Sequence, residues 1–259
     1  MTPLLPERLA CLEIRGGNHH ATYEAELPGL KGWICCRPLR PSCKGGDLYY
    51  LSVCSGGVLS RIVVADVAGH GEAVSAAAGR LKDALRQHAD NRDQSLLIRH
   101  LNDTFLGGAS ADAIEYATAF LVSHYGETGE LVFTNAGHPP ALWYHAGTGE
   151  WSYLGEGAGW ERAATGLPLG LIPGTEYSQA VVSLEPGDQV FLYTDGVVES
   201  VDPAGEPLGQ RRLLQMARSL PAGPAAAVGY ALLQAVEAYR GGPSRADDET
   251  MVVVEALAR

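Results

Sequence analysis

The chain has 259 residues, 46% hydrophobic and 19% charged, enough to bury a sizeable core in one compact unit. Its net charge is −11 and its 19 basic residues are scattered, so there is no positive stripe for nucleic-acid phosphates and that class of partner is not expected. No apolar run reaches the roughly 18 residues of a membrane span, and the N-terminus "MTPLLPERLA" has neither the basic nor the apolar stretch of a signal peptide; the expected setting is cytoplasmic, off the membrane.

In chain order, residues 1–30 hold short strand-like pieces around "GGNHH" and "LPGLKG", forming an N-terminal extension or first strands, and 32–37 reads as a strand stopped by Pro38. The β-rich runs 48–53 and 61–65 flank Ser55-Gly56-Gly57 and predict a hairpin. Ala73, Ala77, Leu81 and Leu85 then recur every four residues, predicting a helix over 72–89, and Leu97, Leu101 and Phe105 predict another over 94–106. Strands follow at 116–124, 130–135 and 140–145, with turns at Thr128-Gly129 and Gly137-His138-Pro139-Pro140. Residues 179–184 and 188–194 read as a second hairpin through Pro186-Gly187. Helices are predicted at 208–219 and 224–240, the latter aligning Val228, Leu232 and Val236, before a last apolar strand at 250–254. No repeat or long polar linker divides the chain. Hairpins with helix pairs between them predict an α+β fold, two mainly antiparallel sheets packed face to face and covered by helices, in a single domain over 1–259.

Five cysteines, Cys11, Cys35, Cys36, Cys43 and Cys54, are odd in number and form no CxxC units. Even with His19 and His20 nearby the spacing fits no zinc finger, so reduced thiols are expected. None lies in a Gly-rich loop ending in arginine, which argues against a thiol nucleophile.

Three apolar strands meet an aspartate and a turn: one runs into Asp66, one into Asp195, and the last leaves Asp247-Asp248. A lone aspartate at a strand end is readily explained as a turn cap. Three such placements differ, because carboxylates gathered at one sheet edge repel one another unless cations lie among them. All-oxygen ligation of this kind selects Mg²⁺ or Mn²⁺ over zinc. Gly69, Gly71 and Gly196 beside these aspartates allow positive φ and close backbone approach. Asp47, in "KGGD" at the head of the first hairpin, either adds a carboxylate or is a simple turn residue.

The strings "GGDLYY" at 45–50, "ADVAGHG" at 65–71, "ATAFLV" at 117–122, "FTNAGHPPALWY" at 133–144, "GLPLGL" at 166–171, "LYTDGVVES" at 192–200 and "DDETMVVV" at 247–254 resemble, in this order, the PPM family of metal-dependent protein phosphatases and its RsbU/SpoIIE branch. The resemblance covers core motifs from 45 to 254. It implies a four-layer αββα sandwich with two Mn²⁺ or Mg²⁺ ions at one end, bridged by Asp66, with the Val67 backbone carbonyl, Asp195 and Asp247 as further ligands. Asp248 is implied as an outer or alternative ligand, and Asp47 as a holder of metal-bound water or a second ion. The implied reaction is hydrolysis of protein phosphoserine or phosphothreonine by a water bridging the two ions, without a covalent intermediate. In this branch the usual substrate is a phosphorylated anti-anti-sigma factor with a STAS domain, and control is expected from a partner docking on the helices at 72–106.

Departures from the pattern accompany the resemblance. Tyr50 stands where the family usually has a second aspartate, and Ala68 where eukaryotic members place a proton-donating histidine. His70 and His138 are expected to order turns. No motif supplies an arginine to clamp phosphate, with Arg37, Arg40 and Lys44 as the available cations. Two other readings share these residues: a catalytically inactive binding module and a hydrolase of small phosphomonoesters. The oligomeric state is left open.

Overall fold

The computed structural model describes residues 6–39, 41–54, 56–69, 72–108, 115–156 and 166–258. Its first half comprises β1 (Glu7–Arg8), β2 (Ile14–His19), β3 (Ala21–Leu27), β4 (Leu30–Arg37), β5 (Lys44–Val53), β6 (Leu59–Val67), α1 (Glu72–Gln87) and α2 (Gln94–Gly108). The second half adds β7 (Ala117–Tyr125), β8 (Glu130–Ala136), β9 (Leu142–His145), β10 (Glu150–Tyr153), β11 (Ala180–Ser183), β12 (Gln189–Tyr193), α3 (Asp195–Val198), α4 (Gly209–Ser219), α5 (Ala225–Arg240) and β13 (Glu249–Ala256). One sheet runs β1-β3-β4-β13-β12-β9-β10 and the other β11-β8-β7-β6-β5-β2. Among these strand pairs, only β1 with β3 is parallel.

Strand alternation builds three cores, because successive side chains leave a strand on opposite faces. Ile62 and Val64 of β6 join Val190, Leu192, Val252 and Val254 in the core between the sheets. Val63 and Ala65, their neighbours on β6, face the other way and pack under Leu81 of α1 and Leu97, Leu101 and Phe105 of α2. On the opposite outer face, Trp33, Phe191 and Val253 lie beneath Leu213 of α4 and Val228, Leu232 and Val236 of α5. Helix, sheet, sheet and helix form the four layers expected, and Ala77, Leu81, Leu85, Leu97, Leu101, Phe105, Val228, Leu232 and Val236 of the helix faces read from sequence are buried.

Two connections depart from the expectation. The segments at 179–184 and 188–194 are not a hairpin: β11 pairs with β8 in the six-stranded sheet, whereas β12 lies between β13 and β9 in the seven-stranded one. Pro186-Gly187 turns the chain from one sheet to the other. Asp188 anchors that crossing by accepting from Glu185 N (3.1 Å), Trp143 Nε1 (3.2 Å) and Ala146 N (2.8 Å). The segment after β8 also changes sheets, with Asn135 Oδ1 accepting from His138 N (2.7 Å) and Asn135 Nδ2 donating to His138 O (2.9 Å). A tight turn carries the same local chemistry in a hairpin and in a crossover; the partner of each strand is settled by distant chain. Lys44–Asp47, expected as a turn, opens β5 instead, and β10 and α3 are additional elements.

Candidate active site

The same alternation that aims Ile62 and Val64 between the sheets aims Asp66 there, two residues on. Asp47 of β5 sits directly opposite Asp66, and Thr118 of β7 is opposite Asp66 on its other side. From the facing sheet, Thr194-Asp195 follows β12 and Asp247-Asp248 precedes β13, adjacent strands paired through Tyr193 and Met251. The aspartates of the three strand-end motifs and Asp47 thus share one end of the sandwich. Like charges opposed across a strand pair are destabilising, so Asp47 and Asp66 are not placed for stability.

Hydrogen bonds separate their roles. Asp47 is 2% exposed and its Oδ2 accepts from Thr194 Oγ1 (2.7 Å), a bond that joins the two sheets. Thr194 Oγ1 in turn accepts from Thr250 N (2.9 Å). Asp248 is pinned by two backbone donors, Leu39 N and Gly46 N, each at 2.6 Å. The Asp247 carboxylate accepts from Asp248 N (2.8 Å). Glycines permit these approaches. A Cβ on Gly45 would collide with the Asp248 carboxylate, and one on Gly46 would stand 2.8 Å from the Val67 carbonyl and 3.3 Å from Asp66 Oδ1. One on Gly196 would collide with the Asp248 carbonyl. Gly69 has positive φ, 118°, as its type suggested, but Gly196 lies in α3 and is required for space, not for φ.

Burial and mutual repulsion raise these carboxyls. Asp66 is pushed up to about 7, first by burial and then by Asp195, Asp247, Asp248 and Glu199. Asp195 rises to about 6 through burial, Glu199 and Asp247. Asp47 rises through burial and the charge of Asp66, against the Thr194 bond. Among the described residues none of these aspartates is ion-paired with a basic side chain, and no three His, Cys, Asp or Glu side chains are gathered closely enough to hold an ion as they stand. The carboxylates face one another across the sandwich end as an open set. Their chemistry, hard oxygens with uncompensated negative charge plus a carbonyl at Val67, fits Mg²⁺ or Mn²⁺.

Glu199 and Thr194 were not singled out by the sequence reading. Glu199 lies four residues after Asp195, and its N–H donates to the Asp195 carbonyl (2.8 Å), so helical spacing within "TDGVVES" is the signal that could have found it. Tyr50 points away from the site: it is fully buried under α1 and donates to Leu85 O (3.2 Å). His138 is buried, within 2.8 Å of Thr118 Oγ1, and its pKa is pushed down to about 3 by burial, so it stays neutral. The Ala68 N–H donates to Tyr116 O (3.0 Å). His70, Gly71 and Arg40 lie outside the described residues.

Arg37 is committed elsewhere. It bonds Glu237 (2.5 Å) and Glu249, while Arg240 bonds the other oxygen of Glu249 (2.5 Å). Lys44 is exposed at the start of β5. All five cysteines are free, and burial raises the Cys35 and Cys36 thiols, which disfavours a thiolate near the acidic end. Among the described residues no helix is long and apolar enough to cross a membrane.

Comparison with known proteins agrees with the helix-flanked, two-sheet fold. Residues 58–257 match the family model of stage II sporulation protein E (SpoIIE). The phosphoserine phosphatase RsbP of Bacillus subtilis is 24% identical over 200 residues, which cover 75% of this chain and 45% of RsbP. The chain spans less than half the length of the curated relatives it matches. The RsbU and RsbW domains of Rv1364c from Mycobacterium tuberculosis superpose with a TM-score of 0.71 at 23% identity, over 90% of this chain and 61% of that one. The catalytic domain of the serine threonine protein phosphatase PstP, in complex with two manganese ions, superposes with a TM-score of 0.60 at 18% identity, over 88% of this chain and 99% of that one.

Proposed function

The chain belongs to the SpoIIE family, in the RsbU/SpoIIE branch of the PPM phosphatases, and from that premise we propose that it is a Mn²⁺- or Mg²⁺-dependent hydrolase of phosphoserine or phosphothreonine on a protein. The observation that carries the reading is the meeting of Asp47, Asp66, Asp195, Asp247 and Asp248, from both sheets, at one end of the sandwich with no basic partner among the described residues. When bound, two divalent ions offset this charge and activate water for attack on phosphorus.

Asp66 and the Val67 carbonyl from one sheet, with Asp195 and Asp247 from the other, would hold the ions. Asp248 would serve as an outer member that orders the loop, because its carboxylate is occupied by the N–H groups of Leu39 and Gly46. Asp47 is the other outer member, its lone pairs shared with Thr194. Neutral, buried His138 and the methyl of Ala68 supply no proton to the leaving oxygen, and no cysteine forms a phosphoryl intermediate. The similarity to RsbP, named a phosphoserine phosphatase, supports a phosphoprotein substrate, and the family branch supports a STAS-domain anti-anti-sigma factor as that partner. The whole of 1–259 acts as one catalytic domain in this reading.

The test is Mn²⁺-dependent hydrolysis of p-nitrophenyl phosphate and of a phosphoserine peptide by the wild type, abolished in Asp195→Asn with the fold retained by circular dichroism. A wild type inactive with Mn²⁺ and Mg²⁺ from neutral to alkaline pH would refute it.

A further inference from the structure

Next to the acidic end lies a groove of about 1050 Å³, walled by residues that include His20, Pro38, Leu39, Ser42, Cys43 and Arg245. It adjoins the carboxylates through one dipeptide. Leu39 N donates to Asp248 Oδ1 (2.6 Å), and the neighbouring Pro38 carbonyl accepts from Arg245 Nη2 (2.9 Å). Arg245 is two residues ahead of Asp247 on the loop leading into β13.

The three arginines here are satisfied to different degrees. Arg37 and Arg240 are ion-paired with Glu237 and Glu249, although Nε and Nη2 of Arg240 are buried without a hydrogen bond. Arg245 has no carboxylate partner among the described residues; one of its five N–H groups reaches the Pro38 carbonyl, and its Nε is buried without a hydrogen bond. Two glutamates are shared by Arg37 and Arg240, and neither pairs with Arg245. A chain of net charge −11 repels a phosphate ester at long range and needs a local reversal of sign where the ester docks. Pro38, Pro41 and Pro243 stiffen the wall that presents Arg245.

We propose that Arg245 is a substrate-positioning residue that holds an anionic group of the phosphorylated segment lying in this groove, either phosphoryl oxygens or a carboxylate beside the phosphoserine. This rests on the phosphatase reading above. A planar guanidinium fixed at one N–H and free at others suits both anions.

Arg245→Gln removes the charge and keeps an N–H for the Pro38 carbonyl; Arg245→Lys keeps the charge. Both are compared with wild type in Mn²⁺ on p-nitrophenyl phosphate, on a phosphoserine peptide with neutral flanks, and on the same peptide flanked by glutamates. Binding of a fluorescent phosphonate analogue of the glutamate-flanked peptide is followed by anisotropy, and melting temperature reports the fold. For Arg245→Gln we expect KM to rise about tenfold, kcat to stay within about twofold and phosphonate binding to weaken about tenfold, with partial recovery in Arg245→Lys. A loss on all three substrates assigns the phosphoryl oxygens, and a loss confined to the glutamate-flanked peptide assigns the carboxylate. Unchanged KM and anisotropy in Arg245→Gln overturn the proposal, as does a fall in kcat alone that lysine does not rescue. A wild type that hydrolyses nothing refutes the phosphatase reading instead, and the anisotropy arm still decides the groove: phosphonate binding that is absent, or the same without Arg245, overturns it.

Discussion

Asp66→Asn should stabilise the protein while abolishing hydrolysis. The folded Asp66 carboxyl titrates at about 7 against an ordinary 3.8, a difference worth about 4 kcal/mol. The folded state holds this proton more tightly than the unfolded chain does. Its deficit is therefore absent below pH 4, grows as pH rises from about 4 to about 7, and is complete above 7. Asp195, at about 6, adds a deficit of the same sign over a narrower window. Asparagine is neutral at every pH and escapes the deficit, at a cost of about 1–2 kcal/mol for burying an amide without full hydrogen bonding. The net gain is about 2–3 kcal/mol, or about 5–10 °C in Tm. The assay is thermal unfolding in EDTA at pH 8 and pH 5, with the advantage of the variant falling to less than half at pH 5. Adding Mn²⁺ should raise the Tm of the wild type more than that of the variant, because binding stabilises whichever fold holds the ligand. A variant less stable than wild type at pH 8 in EDTA, or one with the same Tm advantage at both pH values, would show that burial and the acidic neighbours do not raise the Asp66 carboxyl.

Three further substitutions probe how the site is held. In Gly196→Ala the new Cβ meets the Asp248 carbonyl, so we expect about 2–3 kcal/mol lost in urea unfolding together with Mn²⁺ affinity; a neutral result would mean the two loops are not in contact. Arg240→Met leaves the Glu249 carboxylate, 1% exposed, with one partner fewer, and about 3–5 kcal/mol should be lost, with the Arg240→Met/Glu249→Gln double variant recovering part of it. Gly229→Ala in α5 would gain about 1 kcal/mol from helix propensity alone, but its Cβ would run into the Trp33 ring, so denaturant midpoints should fall, by about 1–2 kcal/mol net.

Much of the fold was legible because its signals are local. The helices carrying Leu81, Leu97 and Leu232 announced themselves by apolar spacing, and the buried β13 by its unbroken apolar run. The hairpin expected across Pro186-Gly187 failed because its residues describe a turn and say nothing of which sheet each flank joins. The site was legible in part for the same reason. Asp66, Asp195 and Asp247 each stand at the end or the start of a strand, which sequence displays. Glu199, Thr194 and Arg245 matter only through what stands opposite them, and Tyr50 proved to be a core residue because the face of β5 it occupies is covered by α1.

By itself, the sequence determined most of the strands and helices, which of their faces are apolar, and that aspartates punctuate the strand ends. These follow from side-chain periodicity and turn chemistry within a few residues. Only the tertiary structure decided that Asp47 and Asp66 stand opposite one another, that Thr194 reaches across to Asp47 from the other sheet, and that Arg37 is consumed by glutamates while Arg245 is not. Those pairings join residues distant in the chain, as far as 212 positions apart for Arg37 and Glu249. Strand register and sheet stacking set them, and the repulsion that gives the carboxylates their use exists only once the two sheets have closed.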